Sequence, residues 1–222
     1  MENRNGNAAS VAAGIVAAAC WAGLAIQFYV TQTHPNLAVI SPFGRALRFF
    51  EYFTILTNLI VAVSLSAALL APSTPIGGFF SRKSVRTAVA VYIALVGIVY
   101  NFVLQGLNDF TGAAIVADSL THDIVPTLYT IYWFVFVRKG GLTWAMPLWW
   151  LAYPVVYLPY ILIRGLSTGR YPYPFLDVGE LGFGTVLLNS ALLTVVFLAL
   201  GELFVGADKL IARLLTRGAM PA

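Results

Sequence analysis

Long, continuous apolar runs separated by short polar clusters dominate this chain. A run of about 20 apolar residues is the length a helix needs to cross a hydrocarbon layer. Six such runs are present, at about residues 8–31, 51–70, 86–107, 121–137, 144–163 and 182–205. Backbone groups left unpaired in lipid are heavily penalised, so continuous runs of this length must fold as helices. A barrel would show short segments of alternating polarity instead. The pattern therefore predicts an all-α fold: one integral membrane domain over residues 1–222, a bundle of six transmembrane helices.

Composition agrees. Of 222 residues, 59% are hydrophobic and 10% are charged, against about 25% charged in an ordinary soluble domain. Lys and Arg in the loops set the orientation. With six spans both ends share a face, and that face collects Arg4, Arg82, Lys83, Arg86, Arg138, Lys139, Lys209, Arg213 and Arg217. Arg45, Arg48, Arg164 and Arg170 fall on the other face, with Glu51, Asp109, Asp118, Asp123, Asp177 and Glu180. The basic face, with both termini, is expected to be cytoplasmic. The net charge of +4 then reflects topology and gives no reason to expect a nucleic-acid partner.

Ala17-Ala18-Ala19 before Cys20 resembles a lipoprotein cleavage site, but the apolar run continues to Val30, too long for a removable signal. A single cysteine allows no intramolecular disulfide and no cysteine metal cluster. Ala9, Ala13 and Ala17 have the small-xxx-small spacing that brings helices close together. No phosphate-cradling glycine loop and no cofactor motif is present, so neither metal nor cofactor is expected.

The informative residues are the polar ones inside the spans, since such side chains turn toward the bundle interior. Glu51, Thr54 and Asn58 share one face of the second run, with Thr57 beside them. Asn101, Gln105 and Asn108 are spaced to share a face of the third. Asp118 stands four residues before His122 on the fourth. All three groups lie toward the outer ends of their runs, whereas the inner halves of the second and third are mostly Val, Ala, Leu and Ile. This predicts a one-sided polar cavity in the outer leaflet. Asn, Gln and Thr also serve as hydrogen-bonding glue between spans, at about 0.6 kcal/mol each, and a helical Thr often bonds its own i−4 carbonyl. His122 is different. An ionisable group inside a span is a functional candidate by default, and imidazole exchanges protons near neutral pH. Pro126 has no N–H for the His122 carbonyl four residues earlier, so the backbone around His122 is expected to depart from plain helix.

A Thr and a His at one depth are the minimum for nucleophilic acyl chemistry. Thr54 is the candidate nucleophile and His122 the candidate base. Asp118 or Asp123 could orient the ring, Asp118 being better placed because Asp123 points away on a regular helix. Asn58, Asn101 and Asn108 are candidate oxyanion donors. Glu51, Gln105, Tyr173 and Asp177 complete the set as candidate substrate-binding residues. Tyr173 belongs to an aromatic wall with Tyr171 and Phe175, and Asp177 with Glu180 also suits a cap on the last helix.

Three stretches carry a resemblance: Tyr52-Phe53-Thr54-Ile55-Leu56-Thr57-Asn58, His122-Asp123-Ile124-Val125-Pro126, and Tyr171-Pro172-Tyr173-Pro174-Phe175-Leu176-Asp177. In this order they resemble the bacterial Pr6Pr family of membrane proteins. More distantly they are similar to the animal androgen-induced and androgen-dependent membrane proteins, threonine hydrolases of fatty acid esters of hydroxy fatty acids. The resemblance implies that Thr54 is a nucleophile and His122 its partner. It also implies a lipid ester as substrate and a bacterial inner membrane as location. Thr57, Asn58 and Asp123 depart from the animal pattern, and the proline after His122 comes one residue sooner. Two other readings remain open on the residues alone: a non-enzymatic lipid-binding protein, and a small transporter whose path would continue toward Glu202.

Overall fold

The computed structural model describes residues 2–107 and 109–218. Their regular structure is all helical, with no strand among the described residues. Five helices are long and apolar enough to cross a membrane: Gly6–Thr33, Phe53–Leu70, Lys83–Leu104, Met146–Thr168 and Val178–Arg217. The sixth expected run, 121–137, is not among them. It is part of a longer helical stretch broken at its centre by a π-helical turn, with Asp118, Thr121, His122 and Asp123 at or beside the break.

The chain divides into two compact units, Met1–Arg138 and Lys139–Ala222. The first is built on helix α1 (Glu2–Thr33), which packs on α3 (Phe53–Leu70), α6 (Ala113–Ser119) and α7 (Val125–Phe136). Ala13, Val16, Ala17, Cys20 and Leu24 are buried, a single stripe at helical spacing. The small-residue spacing read from the sequence thus lies on the packed face of α1. Between α1 and α3, Ser41 caps a short helix α2 (Pro42–Phe49) through a 3.1 Å bond from Gly44 N. Helix α4 (Pro75–Ser81) folds back on α3. Helix α5 (Lys83–Val99) packs on α7 and α3 and ends in a π turn, π1 (Tyr100–Leu104), in which Gln105 N bonds Tyr100 O at 2.8 Å. A second π turn, π2 (Leu120–Ile124), joins α6 to α7.

Two expected polar faces change as a result. Helix α3 begins at Phe53, after an extended Tyr52, so Glu51 stands outside the helix and only Thr54 and Asn58 keep their shared face. The third run ends at Leu104, and Gln105 is extended (φ −60°, ψ 134°), so Asn101 and Gln105 do not share a regular helical face. Asn108 lies outside the described residues. The opposite end of the unit is also less oily than expected. Buried Thr87 accepts a 2.9 Å bond from Trp133 Nε1, and Tyr129 donates to Arg86 O at 3.4 Å. These bonds, with Gly97 against Pro126 further along, fix α5 and α7 as antiparallel neighbours.

In the second unit, α8 (Met146–Trp150) leads through Leu151 into α9 (Ala152–Thr168). Helix α10 (Val178–Gly218) carries a non-helical Gly182 (φ 74°, ψ 158°) and continues well past the expected end at 205. The extension alternates exposed Leu210, Leu214 and Leu215 with Lys209, Arg213 and Arg217, an amphipathic pattern that a search for continuous apolar runs passes over. Asp208, fully buried on α10, accepts from Gly140 N at 2.8 Å and from Leu142 N at 3.3 Å. It thereby fastens the start of the unit to its last helix. Hydrogen bonds to a charged group contribute about 1.5–3 kcal/mol each. Asp208→Ala should therefore destabilise the protein by about 3 kcal/mol, visible as a lower melting temperature in detergent and faster proteolysis near residues 139–145.

Candidate functional site

The site is built around a missing hydrogen bond. In a regular α-helix Val125 N would bond the carbonyl of Thr121, four residues back. In π2 it bonds Leu120 O instead, one residue further back. Pro126, next in the chain, has no N–H to give the His122 carbonyl. The carbonyls of Thr121 and His122 are thus released from the usual ladder at adjacent positions. The expectation that the backbone departs from plain helix here is met by this turn.

A buried carbonyl needs a partner, and α3 supplies one to Thr121. Asn58 Nδ2 donates to Thr121 O at 3.1 Å and to Thr54 O at 2.9 Å. From the other side, the Cys20 thiol of α1 donates to Asn58 O at 2.9 Å and lies 3.5 Å from Asn58 Oδ1. One fully buried residue, Asn58, therefore holds α1, α3 and π2 together through its main-chain carbonyl and its side-chain amide. Close approach needs small residues. A Cβ on Gly23 would stand 3.0 Å from Leu120 Cβ, and one on Gly97 would stand 3.1 Å from Pro126 Cβ and 3.4 Å from His122 O.

His122 sits on this platform. Its Nδ1 is 2.9 Å from Asp118 Oδ1, 3.2 Å from the Asp118 carbonyl and 3.3 Å from Thr121 Oγ1. The carboxylate approach is a close contact outside hydrogen-bond alignment; the carbonyl meets the hydrogen-bond geometry. The ring stacks on Tyr100, with centroids 3.9 Å apart and planes at 13°. The Tyr100 hydroxyl donates in turn to Asp118 Oδ2. His122 and Asp118 keep 18% and 14% of their side-chain surface exposed, so the pair is partly accessible. Asp123 turns the other way and accepts from Asn101 Nδ2 at 3.0 Å.

Thr54 is buried one helical turn before Asn58, and Glu51 is buried just ahead of α3. The amide commitments bear on the expected oxyanion donors. An amide nitrogen carries two hydrogens. Those of Asn58 go to Thr54 O and Thr121 O, and those of Asn101 go to Gly97 O (3.0 Å) and Asp123. In this arrangement neither has an N–H left for a substrate, and both act as framework. Gln105 is exposed at the end of π1. Tyr173 and Asp177 belong to the second unit. There Tyr173 stacks on Phe175 at 5.3 Å, and Asp177 Oδ1 caps α10 through Gly179 N (2.9 Å) and Glu180 N (3.2 Å). Among the described residues no cluster of His, Cys, Asp or Glu is arranged to hold a metal.

Reasoning from the sequence missed Tyr100, Thr121 and Cys20. Tyr100 immediately precedes Asn101 and looks like one more apolar-span aromatic; only its pairing with Asp118 across the bundle gives it a role. Comparison with protein-family models, curated proteins and solved structures finds no match to the chain.

Replacing Asn58 by Leu preserves bulk and strands the Thr121 carbonyl. An unsatisfied buried acceptor costs about 1–3 kcal/mol. Asn58→Leu should lower the melting temperature of the detergent-solubilised protein accordingly, and Asn58→Asp, whose carboxylate only accepts and would face two carbonyl oxygens, should lower it at least as far.

Proposed function

We propose that the chain is an intramembrane hydrolase of lipid esters, with Thr54 as nucleophile and His122 as base. The observation that carries this reading is the pair of hydrogen bonds that Asn58 Nδ2 donates to the carbonyls of Thr54 and Thr121. It ties the turn of α3 that bears the hydroxyl to the π turn that bears the imidazole. Orientation of His122 adds support. Its Nδ1 is occupied by Asp118 and Thr121, which leaves Nε2 as the nitrogen able to take a proton.

The chemistry follows the usual order for acyl transfer. His122 Nε2 takes the Thr54 hydroxyl proton as the oxygen attacks the ester carbonyl. The tetrahedral intermediate collapses, the alcohol leaves with the proton from His122, and the acyl group stays on Thr54. Water then attacks the acyl-threonine, giving its proton to His122, which returns it to Thr54 as the fatty acid departs. Asp118 beside the ring favours the imidazolium formed in each step.

The resemblance to the Pr6Pr family points to the same two residues and to fatty acyl esters as the substrate class. In this reading the stretch from α6 to α7 is a sixth crossing, polar at its centre because it carries the site. Both termini are cytoplasmic, in accord with the basic residues at that face, and the site opens to the outer leaflet of a bacterial inner membrane. A lipid ester then enters sideways with its chains still in the bilayer.

The test is hydrolysis of a fatty acid ester of a hydroxy fatty acid by purified protein in mixed micelles. General-base catalysis typically supplies about 10²–10⁴-fold, so Thr54→Ala and His122→Ala should each lose at least about 100-fold in kcat. A rate unchanged in both variants would sink the mechanism. Failure of the wild type on any acyl ester would favour a non-enzymatic lipid-binding role.

A further inference from the structure

The two histidines of the chain sit in opposite hydrogen-bonding environments. His34 Nδ1 accepts a bond from Asn36 N at 3.2 Å. A nitrogen that accepts carries a lone pair, so neutral His34 holds its proton on Nε2. His122 Nδ1 instead faces oxygen on every side: the Asp118 carbonyl, the Asp118 carboxylate and the Thr121 hydroxyl oxygen. The carbonyl and the carboxylate only accept, and the Thr121 hydroxyl spends its hydrogen on Ala117 O at 2.9 Å. Nδ1 must therefore be the donor. Neutral His122 carries its proton on Nδ1 and its lone pair on Nε2.

What keeps the carboxylate in place is Tyr100. Asp118 has two oxygens, and one anchor on Oδ2 decides which of them faces the ring. The Tyr100 hydroxyl bonds Oδ2, which leaves Oδ1 turned toward the imidazole. The same phenol ring lies flat on the imidazole and limits its rotation. Asp123, the other acid of π2, is held away by Asn101 and does not compete. The two π turns create this arrangement: π1 begins at Tyr100, and π2 carries His122.

We propose that Tyr100 is a positioning residue that, together with the Asp118 main-chain carbonyl, sets the tautomer of His122 by fixing the Asp118 carboxylate beside Nδ1. The catalytic meaning of this rests on the hydrolase reading above; the tautomer itself does not. A base must present its lone pair to the nucleophile, and the Nδ1–H form leaves that lone pair on Nε2. Removing the phenol hydroxyl frees the Asp118 carboxylate and leaves the Asp118 main-chain carbonyl as the remaining anchor of Nδ1–H, so the Nε2–H form is admitted and the base is lost in part of the population. In the Ser-His-Asp template, loss of the tautomer-setting acid costs about 10⁴ in kcat; loss of the anchor behind that acid should cost less, about 10- to 100-fold.

The experiment is nitrogen-15 NMR on the full chain labelled at histidine, in detergent micelles above neutral pH, where an ordinary imidazole is uncharged. Wild type should show one Nε2–H ring and one Nδ1–H ring. His34→Gln should remove the first and leave activity unchanged. Tyr100→Phe keeps the stack and loses the anchor, so an Nε2–H population of His122 should appear, with kcat lowered and KM held. Tyr100→Leu loses both contacts and should shift the tautomer further. An Nε2–H form for His122 in His34→Gln would overturn the proposal without any Tyr100 variant, as would an unmoved spectrum in Tyr100→Phe. If the wild type hydrolyses no ester while the spectrum changes as expected, the hydrolase reading falls and the positioning role stands. If hydrolysis is seen and the tautomer does not move, the reverse holds.

Discussion

The hydrogen bond from Asn58 to the carbonyl of Thr121 is the contact on which the first unit depends. It exists only because π2 moves the Val125 N–H back by one acceptor and leaves that carbonyl unpaired. Inside a bilayer no water is at hand to take the freed oxygen, so a protein group must. Asn58 does so while keeping its second hydrogen on its own helix and receiving the Cys20 thiol. Three helical segments therefore meet at one residue, and the close contacts at Gly23 and Gly97 belong to the same junction. Stability and the candidate site are joined here. The turn that orphans the carbonyl is also the turn that carries His122 out of the regular helical register.

This explains how a polar site is tolerated among apolar helices. Each acid of the cluster has its own partner: Asp118 between Tyr100 and His122, and Asp123 on Asn101. The acids are spread over two clasps on two sides of one turn, so the cluster does not become a cage for a cation. Polar groups at the far end of α5 and α7 are likewise paired with one another, Thr87 with Trp133 and Arg86 with Tyr129 and Tyr132. The unit thus has two polar ends. One is closed on itself, and the other keeps a partly exposed imidazole.

Much of the helical content was legible because long apolar runs leave little choice of structure. The runs at 51–70 and 86–107 lie within a few residues of α3 and of α5 with π1. Legibility failed where hydrophobicity stops being continuous. Helix α2, the amphipathic end of α10, and the start of the 113–136 stretch all mix polar and apolar positions. In the site, the Asp118–His122 spacing could be read directly because it is local. The faces drawn through Glu51 and through Gln105 could not survive, because each assumed that 3.6-residue periodicity continues where the backbone in fact turns extended. Tyr100 was out of reach for a different reason. Its partner is 18 residues away in sequence and on another element, and no periodicity within one helix encodes such a pairing.

A π turn is an α-helix holding one surplus residue, and π2 has a consequence for how this protein can change. Deleting Asp123 would turn the bond from Val125 N to Leu120 O into an ordinary i−4 bond and would rotate everything before it by about 100° relative to α7. Asp118 and Ala117 would leave their neighbours together, and the carbonyl that Asn58 holds would face Pro126, which has no N–H to give it. The span would come out shorter by one residue and more regular, yet without its junction. The surplus residue therefore works as a phase lock, and the same helix has a quieter form one codon away.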